Sequence, residues 1–392
     1  MTATAATARQ RATAAPAARN PWAIAARRLW RNRIAMAALV LFGLIVAISL
    51  AAPLYAHDIA HVNPFVNNLN GTTVVNGHTV PIMQQGGGVL KLGENPIGPT
   101  WDIQHYFLGA DNLGRDVAAR LLYGGRSSLE IGIGSALICC AIATVVALIA
   151  GFFGGVTDAL LSRLMDLIWA FPVYLLAISI STVLLTRANG VQLGPLHLVA
   201  GSLWLPTLII AFIYVPYVYR PVRGQVLSVV NREYVEAAIA QGASNLRLIF
   251  SEILPNVVSV VIVLFPLMIA TNILTESALS FLSIGVQPPS ASWGTVISDG
   301  QQLLYTRPWV SLAPGIMIVL TVVSLNVLGD GVRDALDPRA KVRGRVAAAG
   351  GPGQFSTAAA GPGQFGTTAA GPGQFGTAGQ VPTTAASEVP GR

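Results

Sequence analysis

Charge is scarce in this sequence: only 10% of its 392 residues are Asp, Glu, Lys or Arg, against roughly 25% in an average soluble domain. That shortage argues against the one or two soluble domains a chain of this length would otherwise suggest. Cysteine is nearly absent as well. Cys139 and Cys140 are adjacent in an apolar run, so on a helix they point to different sides and make neither a CxxC redox pair nor a closed metal site. Two small apolar side chains in a bilayer helix are expected instead. There is no GxxxxGKS or GxxxxGKT phosphate loop, no HExxH and no GxSxG, which removes the usual machinery of ATP hydrolysis, zinc proteolysis and ester hydrolysis. The net charge of +7 lacks the interleaved aromatics of a strand-binding surface, so nucleic acid is not an expected partner.

Apolar residues are abundant, at 53%. A bilayer core of about 30 Å takes roughly 20 apolar helical residues, because no water is present there to satisfy backbone polar groups. Six stretches qualify: 34–56, 131–155, 167–186, 198–219, 253–275 and 308–329, each free of charge between its ends. The first is too long for the apolar region of a cleaved leader and reads as a retained anchor. An even number of spans puts both termini on one side. With the termini inside, 18 of the 24 Lys and Arg lie on the inner side, as the positive-inside rule requires of a cytoplasmic face. Arg27, Arg28, Arg31 and Arg33, just before the first span, set this orientation most firmly. Arg115, Arg120 and Arg126 run against it. A short amphipathic helix lying in the outer interface would account for them.

The chain accordingly divides into a disordered cytoplasmic segment 1–26, an N-terminal segment with the first span at 27–56, an extracytoplasmic loop 57–126, a core membrane region 127–340 and a tail 341–392. The loop carries turn-rich sequence and hairpin-like alternation around Val74, Val75 and Val80, and predicts a small, partly ordered cap. Its His57, His61 and His78 match no closed metal spacing and are expected to be solvated. In the tail, GPGQF recurs from Gly351, Gly361 and Gly371 in an Ala and Thr background. With little to bury, it is expected to be disordered and linker-like; a weak partner-binding element with spaced Phe is the alternative.

Between the fourth and fifth spans, within 220–255, lies NREYVEAAIAQGASNLRLIFSEILPN. Val235, Ala238, Ile239 and Gly242 follow i, i+3, i+4, i+7 and form one narrow apolar face on a short helix. Gly242 can take the positive φ that ends such a helix, and Ser244 can cap the next. A helix, tight turn and second helix leading to Pro255 is suited to docking in a groove on another protein, since Ala237 and Ala238 permit close approach. Arg232, Glu233 and Glu236 would lie at the rim.

This loop resembles the cytoplasmic EAA loop of permease subunits of bacterial ATP-binding-cassette importers: EAAxxxG followed by ILP, carried by Glu236, Ala237, Ala238, Gly242, Ile253, Leu254 and Pro255, with Glu233 and Ala243 beside them. Further stretches resemble the C-type permease of dipeptide, oligopeptide and nickel importers. LGADNLGRDVAARLLYGGRSSLEIG matches its pattern at Leu108, Gly109, Asp111, Gly114, Arg115, Asp116, Arg120, Tyr123, Gly124, Arg126, Ser128 and Leu129. ESALSFLSIGVQPPSASWG and the closing DGVRDALDPR are similar to two more of its signatures. Ala110, Ala119, Ser283 and Ile284 depart from the pattern, and the GPGQF tail lies outside it.

The resemblance implies an all-α integral membrane protein with the six-helix type I importer permease fold, in the bacterial plasma membrane. It implies pairing with a B-type permease over two ATP-binding subunits, which would bind the ATP and Mg, and delivery of substrate by an extracytoplasmic binding protein. The expected cargo is a dipeptide or oligopeptide, with nickel or another small solute as the alternative. No cofactor and no catalysis are expected in this subunit. A secondary transporter or channel, the rival class, would be expected to carry broken helices or midplane charges and would have no use for a motor-docking loop.

Charges at the span ends are Glu130, Asp166, Glu276 and Asp330. Asp166 and Asp330 are expected to pair with Arg163 and Arg333. Glu276 is a candidate for facing the substrate path, because TESALSFL can continue its helix outward. Residues 288–304 predict a short helix at the outer mouth, with Ser280 and Trp293 nearby; Trp293, Tyr305 and Trp309 read equally well as interfacial anchors.

Overall fold

The computed structural model describes residues 21–75, 77–85, 94–186, 191–193, 196–198 and 201–336. The tail with its GPGQF repeats, the first twenty residues and the last part of DGVRDALDPR lie outside the described residues. Helix α1, Pro21–Arg31, is followed by α2, Arg33–Leu50. The two are separated by Asn32, whose backbone is extended (φ −82°, ψ 98°) and whose side chain accepts from the Ile34 and Ala35 N–H groups, an N-cap that starts the first membrane helix. Five described helices are long and apolar enough to cross a membrane, and a sixth crossing follows if one bent pair counts as a single span.

The second span differs from its expected limits. Helix α3 runs unbroken from Val117 to Phe153, 37 residues, or roughly 55 Å at 1.5 Å per residue. It outruns the hydrocarbon layer, so Arg120 and Arg126 ride on the extension of a membrane helix and not on a separate interfacial one. Cys139 and Cys140 are free thiols buried in the main core.

The third expected span, 167–186, is not one straight helix. Helix α4, Gly155–Trp169, and α5, Val173–Leu185, meet at 85°. The break is at Pro172, which lacks an N–H and disfavours helical backbone at the residue before it. The fourth helix, α6, begins at Trp204, because Leu196–Leu198 pairs as a strand with Val191–Leu193. It continues past the expected end to Val230, carrying Arg220 and Arg223 with it. Arg223 makes a bidentate bond to Asp158 of α4, both contacts 2.5 Å. Arg220 bonds Asp166 at 3.1 Å. The expected Asp166–Arg163 pair is thus replaced by one between helices, and Asp330 makes no ion pair among the described residues.

Helix α7, Glu233–Ala240, leads through a short turn at Asn245–Arg247 and a π-helical turn, Leu248–Ile253, into α8, Leu254–Phe281. After α8 come the short α9, Trp293–Asp299, and the final span α10, Trp309–Leu336. The core lies between α3, α6 and α8, where Ile131, Ile210, Ile213, Val222, Met268 and Ile273 are buried.

Residues between α2 and α3 build their own small apolar cluster of Ile82, Ile97, Tyr106 and Ala110. Two antiparallel hairpins frame it, Thr72–Val75 with His78–Pro81 and Met83–Gln85 with Glu94–Pro96. The alternation read around Val74, Val75 and Val80 falls on the first of these.

Candidate functional site

Two places in the fold gather the candidate residues. The first is the α6–α8 connection. Asn231 ends α6, Arg232 is extended, and Glu233 and Glu236 occupy the first turn of α7, where carboxylates oppose the positive helix end. At the other end of α7 the Gly242 N–H donates to Ile239 O at 2.9 Å and the Ala243 N–H to Ala238 O at 3.1 Å, the paired bonds of a Schellman turn. Gly242 has φ +79°, and a Cβ there would meet nothing within 4 Å. The demand for glycine is therefore conformational and not steric. The Ser244 hydroxyl accepts from the Arg247 N–H at 3.4 Å, and Pro255 stands in the first turn of α8, where its missing N–H is no loss.

Val235, Leu248, Ile253 and Val257 are fully or almost fully buried and fasten this connection to the bundle. The Asn256 amide donates to Tyr234 Oη at 3.2 Å across its two ends. The narrow face read from Val235, Ala238, Ile239 and Gly242 divides in space. Val235 and, in part, Ala238 turn inward, whereas Ile239 is 55% exposed. Glu233, Glu236, Ala237 and Ala240 are exposed with it, and so are Leu246 and Phe250 on the following turns. Ala243 and Leu254 are half-buried.

The second place is the opposite end of α3 and α8. Glu276 is completely buried. Its Oε1 accepts from Ser280 at 2.6 Å and its Oε2 from Ser128 of α3 at 2.7 Å. Each serine oxygen in turn accepts a backbone N–H, Ser280 from Val286 at 3.0 Å and Ser128 from Trp293 at 3.1 Å. The hydroxyl protons are therefore committed to the carboxylate, which ties α3, α8 and the segment before α9 together. Trp293 is wholly buried and donates its indole N–H to Leu121 O at 3.2 Å, so it packs inside protein and is not an interfacial anchor. Gly124 makes room for this segment: a Cβ there would lie 2.9 Å from the Ser292 carbonyl carbon. Tyr305 remains fully exposed and Trp309 partly so.

Beside this knot lies an ion cluster that sequence reasoning missed. Arg115 Nε bonds Asp111 at 2.8 Å and its Nη2 bonds Asp299 at 2.9 Å. Arg120 Nη2 reaches Asp299 at 2.7 Å, its Nη1 donates to Pro64 O at 3.2 Å, and its Nε is 3.4 Å from Asp111. Of the arginines expected in a membrane interface, Arg115 and Arg120 are in fact buried and paired, whereas Arg126 is exposed and pairs with Glu130 on its own helix. Asp111 and Arg115 meet across a turn ahead of α3 and not on a helix face, and nothing local pointed to Asp299. A cavity of about 270 Å³ opens here, lined by Arg115, Arg120, Ser280, Gln287, Thr295 and Asp299 among others. Asp116, next to the cluster, caps α3 by accepting from the Ala119 N–H at 2.7 Å. Burial pushes its carboxyl up to about 6.

Residues 143–342 match the family of binding-protein-dependent transport system inner membrane components, and residues 20–70 match the N-terminal TM domain of oligopeptide transport permease C. A dipeptide transport system permease protein of Alkalihalophilus pseudofirmus is 36% identical over 82% of this chain and 91% of its own length. An oligopeptide transport system permease protein of Bacillus subtilis is 35% identical over 82% and 90%. A glutathione transport system permease protein of Pectobacterium atrosepticum is 36% identical over 64% and 76%. This chain belongs to the binding-protein-dependent transport system inner membrane component family, as a non-catalytic, multi-span permease subunit of an ATP-binding-cassette importer.

Proposed function

We propose that this subunit carries peptides across a bacterial plasma membrane, with both termini cytoplasmic, and that the α6–α8 connection takes up the motion of an ATP-hydrolysing partner. The cargo is inferred from relatives whose names specify dipeptide and oligopeptide transport. The observation that supports the coupling role is the division of α7: Val235 anchors it inward while Glu236, Ala237, Ile239 and Ala240 stay exposed. A helix held firmly on one side and open with small and apolar side chains on the other transmits force to whatever grips it. On this reading two ATPase subunits hold the ATP and Mg, a B-type permease supplies the other half of the path, and an extracytoplasmic binding protein delivers the peptide. Movement between outward and inward openings follows from differential contacts in two states. Ser280 and the buried Glu276 and Trp293 would then shape the outer mouth.

Cross-linking from Ile239→Cys in the assembled transporter, paired with ATP-driven peptide uptake into vesicles, tests both halves. The expected adduct is with an ATPase subunit, and uptake should require the binding protein. Solute movement by the purified chain alone, or a non-peptide ligand on the copurifying binding protein, would overturn the respective half.

A further inference from the structure

The N-terminal helix α1 does not belong to a span and is not consumed by the coupling role. Its eleven residues, PWAIAARRLWR, sort into three stripes at 100° per residue. Ile24, Ala25, Arg28 and Leu29 form one stripe and are buried or half-buried. This stripe packs on the end of α10: Arg28 donates to Ala335 O at 3.4 Å, and Leu29 lies against Gly331. Trp22, Ala26 and Trp30 form a second, exposed and apolar, with Trp30 71% exposed. Arg27 and Arg31 form the third, exposed and basic, continued by Arg33 at the start of α2.

Asn32 turns the chain between α1 and the membrane helix. The tryptophan stripe therefore lies beside the point where α2 enters the bilayer, the depth at which amphipathic indoles are favoured. No Asp or Glu occurs before Asp58, and Arg27, Arg31 and Arg33 make no ion pair among the described residues, although the end of α10 on which α1 packs carries Asp330 and Asp334. An apolar aromatic stripe edged by unpaired cations is the pattern of a helix lying in a membrane surface.

We infer that α1 is a lipid-binding element, seated in the leaflet with Trp22 and Trp30 among acyl chains while Arg27, Arg31 and Arg33 hold anionic phospholipid headgroups. The protein fold holds the remaining stripe, Ile24, Ala25, Arg28 and Leu29, so α1 positions these lipids against the end of α10.

Native mass spectrometry of the assembled transporter, taken from membranes containing phosphatidylglycerol, reads this directly. Juxtamembrane cations contribute about a fivefold gain each in affinity for an anionic surface. Arg27→Gln with Arg31→Gln should thus reduce retained phosphatidylglycerol at least about tenfold, leave phosphatidylcholine retention unchanged, and be rescued by Arg27→Lys with Arg31→Lys. Trp30→Ser should weaken retention without altering the preference for the anionic lipid. Unchanged phosphatidylglycerol in the double Gln variant overturns the inference. So does a loss of ATPase subunits with lipid retention intact, which would mean that a protein partner occupies this face. Should the double variant fail to assemble, the same comparison on Arg31→Gln alone decides it, with an expected fall of about fivefold.

Discussion

Arg120 of α3 and Asp299 of α9, 179 positions apart in sequence, meet at 2.7 Å, and through Asp111 and the Pro64 carbonyl the same guanidinium also holds the segment between α2 and α3. One buried cation therefore joins three parts of the chain at one end of the bundle.

Removing it leaves the buried Asp111 and the partly exposed Asp299 to Arg115 alone, and breaking a buried ion network in this way costs up to roughly 3 kcal/mol. Arg120→Met is expected to lower the unfolding midpoint of the detergent-solubilised subunit clearly. Asp299→Asn should do less, since Asp299 is partly exposed and Arg120 keeps Asp111 and Pro64. Thermal unfolding of both variants checks the order, and an equal or reversed ranking would show that the cluster does not bear on stability in this way.

Gly242 carries a different kind of constraint. Its φ of +79° is a left-handed conformation that a β-branched side chain adopts only with strain of about 1–3 kcal/mol. Gly242→Val should leave insertion intact but shift or fray the end of α7. In reconstituted vesicles ATP hydrolysis should persist while uptake falls by about tenfold. Normal uptake would refute the coupling role, and Gly242→Asn, which tolerates positive φ better, should be the milder change.

Much of the architecture was legible, and what was hidden has identifiable physical causes. Long apolar runs marked the spans because a bilayer demands internal satisfaction of every backbone polar group, and the turn at Gly242 was visible because few residues can close a helix that way. Helix ends were not. Nothing in the run 131–155 announces that α3 begins at Val117: its local signal is the N-cap Asp116, well ahead of that run, and the contact of Arg120 with Asp299 that holds its first turns is one no local pattern contains. Pro172 was in plain view within the third apolar stretch, yet hydropathy alone reads through a proline that bends the chain by 85°. The pairing of Asp158 and Asp166 with Arg223 and Arg220 likewise depends on α4 and α6 lying together.

Asp116 allows a pH prediction. Its folded carboxyl titrates at about 6, above the ordinary 3.8, so the folded state binds the extra proton between these values. Ionisation of this group therefore subtracts stability as pH rises through about 4 to 6, and the deficit persists above that window. Asparagine is an equally good N-cap and carries no charge. Asp116→Asn should accordingly raise the thermal midpoint at pH 7.5, with the difference from the parent shrinking towards pH 4. A variant less stable than the parent at pH 7.5 would show that the ionised carboxylate has a compensating partner.

Glu276 gives the sharpest distinction between chemistry and shape. Ser128 and Ser280 each accept a backbone N–H, so each has one proton left, and both protons point to the carboxylate. Glutamine keeps the volume but offers one oxygen, leaving one hydroxyl facing an amide NH2. A buried donor without an acceptor costs about 1–3 kcal/mol, and Glu276→Ala strands both and adds a cavity. The expected stability order is parent, then Glu276→Gln, then Glu276→Ala. Combining Glu276→Gln with Ser128→Ala should remove the stranded hydroxyl at the expense of the Trp293 N–H bond, giving little further loss. A strictly additive double variant would mean that the two side chains do not share the proton arrangement described, and that Glu276 acts through its charge alone.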